Sequence, residues 1–348
     1  GPDLVPLDSG GEPTGLLRET AAFAAERAAR DADLGPAIAE ALDDLVRAGL
    51  TAVHEMSGTE VVPLLRTLDA EGRLPIPVVA TISPGDSVTD LAPGRRLTIG
   101  GMKAFLDGAL GSRTAHLLEP YEDEPCRHGI ATLSHEDARD AVQRAAARGL
   151  PSCLHAIGDA AVRTALDVLR GVHGPGGALL RHRIEHAQMI HEADLARFAA
   201  ERVIASVQPV HLAEDAALAH RHWGRRARRA FPLRRLSDSG ARLAFGSDAP
   251  VETHDVLAGI RCAVTRRGRD GTVLHAEEAL TAAECLRAYT AGAAFAGGLD
   301  GDLGAVRPGA RATLTVLSHD VVAHPAALGD ARVVATIVDG AVLFEDAA

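Results

Sequence analysis

Histidine, lysine and carboxylate side chains recur on short apolar runs along this chain. TAVHEM (51–56) carries His54 and Glu55, IGGMKAFLDG (99–108) carries Lys103, and PSCLHA (151–156) carries His155. HRIEHA (182–187) contains His186, RVIASVQP (202–209) reaches Gln208 with His211 just beyond, and RLAFGSDAP (242–250) contains Asp248. Imidazole nitrogens and carboxylate oxygens suit zinc or a similar divalent ion if one place gathers them. Each residue also has a plainer reading. A histidine at a strand end can be a hydrogen-bonded structural group, and Asp248 can cap the turn or helix that follows. Lys103 can reach solvent at its strand end, although a bare ammonium inside so apolar a run would be costly to bury. A single shared site explains all of them at once, in strand order.

The elements needed to gather them are α/β units. Short β-branched runs alternate with Ala/Leu/Arg-rich amphipathic stretches, which predicts parallel strands with crossover helices. Helices are expected near 36–48, 59–71, 135–148, 158–170, 192–200 and 232–239, the third with Ser134 as N-cap. Strands fall at 51–56, 77–82, 99–108, 151–156, 182–187, 202–209 and 242–250. Seven β-then-α repeats result, where a closed (β/α)₈ barrel has eight; in such a barrel the strand ends build the site. RATLTVL (311–317) and ARVVATIVDGAVLFE (331–345) read instead as antiparallel strands turning at Asp339-Gly340, a small β-module outside the barrel.

Composition narrows the function classes. Of 348 residues, 36 are basic and 47 acidic, a net charge of −11 that argues against a general nucleic-acid or anionic-membrane binder. The run Arg221, Arg225, Arg226, Arg228, Arg229 is expected to be a solvated helix face. Cys126, Cys153, Cys262 and Cys285 form no C-x-x-C pair and read as reduced thiols. Without an 18-residue apolar stretch or a secretory leader pattern, the expectation is a cytoplasmic protein with no membrane span.

Taken in order, LTIGGMKAFLDGALGSRTAHLLEPY, LHAIGDAAV, RIEHAQ, SVQPVH and AFGSDAPVE resemble the amidohydrolase superfamily. The branch they resemble, amidohydrolase family 3, contains N-substituted formamide deformylases and YtcJ-like hydrolases. GEPTGLLRE and LTAAECLRAYTAGAAFAGGLDGDLGAVRPGARATLTVL match the same branch, so the resemblance runs from about Gly11 to Glu345. It implies an α/β fold, a TIM-type metal-dependent hydrolase barrel of which strands 2–8 are visible and the first is missing. The expected division is 1–35 as a leading loop and helix segment, 36–300 as the barrel, and 301–348 as the remnant of a small β-sandwich.

The resemblance further implies one or two divalent metal ions, zinc first among them, on Lys103, His155, His186 and Asp248. Lys103 matches a lysine that is carboxylated in many members, its carbamate bridging two metals. Asp248 matches the carboxylate that takes the proton from the attacking water. Arg113 and His211 match loop positions that contact substrate, and Asp159 is expected to cap its helix or orient His155. The family's first strand ends in a His-x-His pair. His220-Arg221-His222 comes too late to be that motif, so the pair would lie before Gly1. The implied activity is hydrolysis of a non-peptide amide-type C–N bond in a small molecule, with the homo-oligomeric state open. Deamination of a heterocycle by the same machinery, or a non-catalytic barrel that binds partners, are the alternatives.

Overall fold

The computed structural model describes residues 5–17, 21–22, 24–25, 34–86, 88 and 90–347. Of the expected leading segment 1–35, residues 1–4, 18–20, 23 and 26–33 lie outside the described residues. The chain divides into two compact units, residues 1–40 and 41–348. In the first, an Asp8 carboxylate oxygen accepts from the backbone N–H of Gly10 (2.8 Å) and Glu12 (3.0 Å), pinning a turn closed by a bridge between Leu7 and Pro13.

The second unit is built on seven parallel strands: β1 (Val53–Glu55), β2 (Val78–Ile82), β3 (Leu97–Phe105), β4 (Ser152–Ala156), β5 (Arg183–His186), β6 (Ile204–Val207) and β7 (Leu243–Phe245). They lie side by side in sequence order, and among the described residues β1 and β7 each have one neighbour. β2, β4, β5 and β6 are buried along their whole length, which is why they read as unbroken apolar runs rather than alternating ones. The sheet curls. Arg183 on β5 reaches His54 on β1, its Nη1 donating to His54 Nδ1 at 2.8 Å.

Crossover helices occupy the expected places, α1 (Leu34–Arg47), α2 (Val62–Ala70), α3 (His135–Ala147), α4 (Asp159–Leu169), α5 (Glu192–Ala200) and α7 (Leu233–Asp238), while α6 (Leu212–Trp223) was not among the expected helices. Ser134 caps α3 by accepting from Asp137 N. Beyond β7 the chain adds α8 (Val256–Thr265), α9 (Ala282–Arg287), a π turn (Ala288–Gly292) and α10 (Ala293–Ala296), elements that the sequence reading did not place. A buried cluster of Leu110, Leu117, Tyr121, Met189, Trp223 and Phe231 anchors the long segment after β3.

The arginine run departs from expectation. Arg221 and Arg228 are exposed, but Arg229 is buried, 3.7 Å from Asp159, and Arg226 donates to the carbonyls of Glu119 and Pro120. Those carbonyls and that carboxylate come from segments far away in sequence, which composition alone does not reveal.

A three-stranded antiparallel sheet closes the chain, β8 (Leu314–Leu317), β9 (Val333–Val338) and β10 (Ala341–Glu345), in the order β10-β9-β8. Asp339 (φ 54°) and Gly340 (φ 81°) both take the left-handed backbone of a two-residue hairpin turn. Threonine hydroxyls fasten this sheet to the end of α1: Thr336 Oγ1 donates to Val46 O and Thr315 Oγ1 to Gly49 O, each at 2.7 Å.

Candidate metal centre

Register decides which side chains share a level of the sheet. Phe105, His155 and Glu185 are paired across β3, β4 and β5, with Lys103, Cys153 and Arg183 paired one level below. The rings of His155 and His186 lie 4.5 Å apart, and those of His186 and His211 5.8 Å apart. His211 returns to the site on a short 3-10 turn, Pro209–His211, that follows β6. His186 (φ 72°) and Asp248 (φ 63°) hold left-handed backbones where their strands give out. Such backbones are costly outside glycine and concentrate at functional positions.

One ligand atom from each of His186, His211 and Asp248 can be chosen so that all lie within 4.8 Å of one another. Ligands of a tetrahedral zinc, each about 2.1 Å from the ion, sit about 3.4 Å apart. His211 Nε2 and Asp248 Oδ2 are already 3.3 Å apart, so the remaining closure falls to His186. His211 Nε2 faces Asp248 Oδ2, His186 lies beside the Gln208 side chain, and Gln188 Oε1 is buried without a hydrogen-bond partner. Buried nitrogens and oxygens crowded at the ends of β5 and β6, with His211 Nε2 and Asp248 Oδ2 already at ligand spacing, fit a bound cation. The donor set therefore fits a divalent metal.

Electrostatics prepare the same atoms. Burial, then the Lys103 charge, pushes His155 down to about 3. Burial, helped by His155 and Lys103, holds His186 well below its ordinary value, so both rings present lone pairs at neutral pH. Burial also lowers Lys103, against the carboxylates of Glu185 and Asp248, favouring the neutral amine. Burial opposes protonation of His211, but Asp248, Asp215 and Glu252 outweigh it and raise the group. Asp215, on α6, is itself pushed up to about 6 by burial.

Lys103, His155, His186, His211 and Asp248 thus come together at one rim of the sheet. His211, expected to contact substrate, stands among the potential ligands. Lys103 Nζ lies 4.9 Å from the centre of the Phe105 ring. Arg113 pairs through its guanidinium with Asp123 (3.1 Å) and Glu124 (3.3 Å). His222 binds the same Asp123 at 2.8 Å, which gives the late His-x-His a structural partner. His54, burdened by burial and the neighbouring Arg183, falls to about 3 and serves as an acceptor. The sequence reading passed over Asp107, which is buried beside His155 with Oδ1 3.5 Å from His155 Nε2. Its only visible signal was a carboxylate directly after an apolar strand.

The profile of the amidohydrolase family matches residues 4–344. The putative amidohydrolase YtcJ of Bacillus subtilis is 31% identical over 362 residues, covering 98% of this chain and 68% of that protein. The N-substituted formamide deformylase of Arthrobacter pascens is 30% identical over 367 residues, covering 97% and 66%. Among solved structures, an uncharacterized metal-dependent hydrolase from Pyrococcus horikoshii superposes with a TM-score of 0.77 at 30% identity, over 88% of this chain and 64% of that one. The chain spans about two thirds of the length of each of these relatives. A curled parallel sheet, a rim of metal-competent side chains and a match over nearly every residue lead to one assignment: this chain belongs to the amidohydrolase family.

Proposed function

We propose that this chain carries the metal centre of a hydrolase that cleaves an amide-type, non-peptide C–N bond of a small molecule. The observation that carries the reading is the convergence of His186, His211 and Asp248, with Lys103 and His155 beside them. Similarity to a formamide deformylase supports the bond class. In this reading the seven strands are the larger part of a (β/α)₈ barrel, and β8–β10 are part of a β-sandwich.

A divalent cation bound there, zinc by its donor set, supplies acidified water at neutral pH and polarises the scissile carbonyl. The chain's own groups do the rest. His155 and His186 offer neutral imidazoles. Lys103, biased to the free amine, is suited to add carbon dioxide, its nitrogen losing one proton to solvent, and the carbamate anion so formed would be a ligand for bound cations. Asp248, with its side chain 34% exposed, can take the proton of the attacking water and hand it to the leaving nitrogen. His211, 3.3 Å from Asp248, keeps that carboxylate oriented.

The test is a panel of N-formyl and N-acyl amines beside heterocyclic amines, assayed on the complete natural polypeptide. We expect turnover of the amides that a chelator abolishes and zinc restores. Deamination of the heterocycles alone would move the assignment to that chemistry, and chelator-resistant turnover would remove the metal from it.

A further inference from the structure

Asp107 lies four residues beyond Lys103, where β3 runs into its loop, and its side chain is fully buried. Its carboxylate accepts three backbone N–H groups: Ile157 (3.0 Å, Oδ1), Gly158 (2.8 Å, Oδ2) and His116 (2.9 Å, Oδ2). Ile157 and Gly158 directly follow the strand that carries His155. One carboxylate therefore ties the end of the lysine strand to the end of the histidine strand. The crossing is tight, for a Cβ on Gly158 would lie 2.1 Å from the carbonyl oxygen of His116.

The fourth group at this carboxylate is His155 itself. Its Nε2 lies 3.5 Å from Asp107 Oδ1 and 3.1 Å from the carbonyl oxygen of Gly108. Both neighbours can only accept, so in the neutral ring the proton belongs on Nε2 and the lone pair on Nδ1. We propose that Asp107 is a positioning residue of the metal centre: with the Gly108 carbonyl it fixes the ring and tautomer of His155 so that Nδ1 supplies the lone pair to the cation. This inference rests on the metal-centre reading above.

The chemistry requires a carboxylate. Three backbone N–H groups donate to a carboxylate that has about four acceptor sites and no hydrogen of its own, and the His155 Nε2–H, which donates to the Gly108 carbonyl, lies beside it. Asparagine has one oxygen, enough for Gly158 and His116. Its amide NH₂ would then face the Ile157 N–H and His155 Nε2. With its Nε2–H facing that NH₂, donor against donor, His155 must either turn away from the Gly108 carbonyl or move its proton to Nδ1, and either takes the Nδ1 lone pair from the metal side.

Asp107→Asn is the variant to make, with histidine ¹⁵N-labelled in the metal-free protein and His155→Gln used to assign the resonance. We expect His155 in the wild type to be protonated on Nε2, and in the variant to shift toward the Nδ1–H form. Zinc affinity, measured by competition with a chromophoric chelator, should fall about 10- to 100-fold. Leu236→Ala, which opens the core at a fully buried residue of α7, controls for general loss of stability and should leave zinc affinity unchanged. A variant that melts earlier but keeps its tautomer and binds zinc within twofold of wild type would overturn the proposal. If the variant does not fold, the wild-type spectrum decides alone, since a proton on Nδ1 of His155 contradicts the proposal. Failure of the wild type to bind zinc would sink the metal-centre reading instead, leaving the tautomer comparison to judge Asp107.

Discussion

Arg183→Met should unfold this protein more readily than almost any other single change outside the metal centre. Arg183 is 1% exposed and spans the curled sheet. Its Nε lies 2.8 Å from Glu185 and donates to Cys153 Sγ at 3.1 Å, Nη1 donates to His54 at 2.8 Å, and Nη2 to Met56 Sδ at 3.7 Å. Removing it strips the nearest counter-charge from Glu185, which is itself buried, and leaves the His54 lone pair without a donor. Breaking such a buried pair from one side costs roughly 3–5 kcal/mol. Lys103, biased to the neutral amine, offers Glu185 little counter-charge, so a cost within that range is expected. Urea unfolding followed through the fluorescence of Trp223, the single tryptophan and wholly buried, reads this as a lower midpoint at similar slope. The double variant Arg183→Met/Glu185→Leu removes both charges and should recover at least half of the loss, because apolar replacement of a whole buried pair is often near neutral. A single variant costing under about 1 kcal/mol, or a double variant no better than the single, would refute the reasoning.

Three further outcomes follow from the same physics. Glu284 grips Arg234 through both oxygens (2.8 and 2.7 Å) and closes the capping box of α9 with Thr281, which lowers its pKa from 4.5 to about 2. A depressed carboxyl contributes stability above pH 4.5 that is lost as pH falls through about 2. Glu284→Gln should therefore cost about 1–2 kcal/mol at neutral pH after discounting for solvent, and the gap should close near pH 2, as thermal melts across pH would reveal. Gly158→Ala must displace the His116 carbonyl, so hydrogen exchange at the Ile157 and Gly158 amides should quicken; unchanged protection would show that the crossing is slack. Lys103→Arg should lower zinc uptake because a guanidinium cannot become a carbamate, and normal uptake would make Lys103 a structural residue.

The seven strands were legible because strands buried on both faces leave continuous apolar runs, and the rim was legible because parallel strands end on one side. His155 and His186 could be read from that alone. What escaped was set by contacts between distant segments. Asp107 answers backbone N–H groups on two other loops, and nothing in KAFLDG says which. His211 was placed at the site as a substrate contact, and its place among the potential ligands depends on a turn whose direction periodicity does not encode. His54 sits at a strand end like the others, yet the arginine opposite it makes it an acceptor. The helices after β7 had local signals, an Asp255 N-cap and the Thr281–Glu284 capping box. Their faces were blurred, since α8 stops at a left-handed Arg266 instead of a glycine and a π turn interrupts the next helix.

The account stands or falls on where a metal ion binds. Crystals of the protein soaked in zinc, measured at the zinc absorption edge, would place the ion directly by anomalous scattering. We expect a peak about 2.0–2.2 Å from one nitrogen each of His186 and His211 and from an oxygen of Asp248, with the three drawn closer than their present 4.8 Å limit. Zinc bound only at other residues, or these three side chains unmoved with no peak between them, would contradict the account.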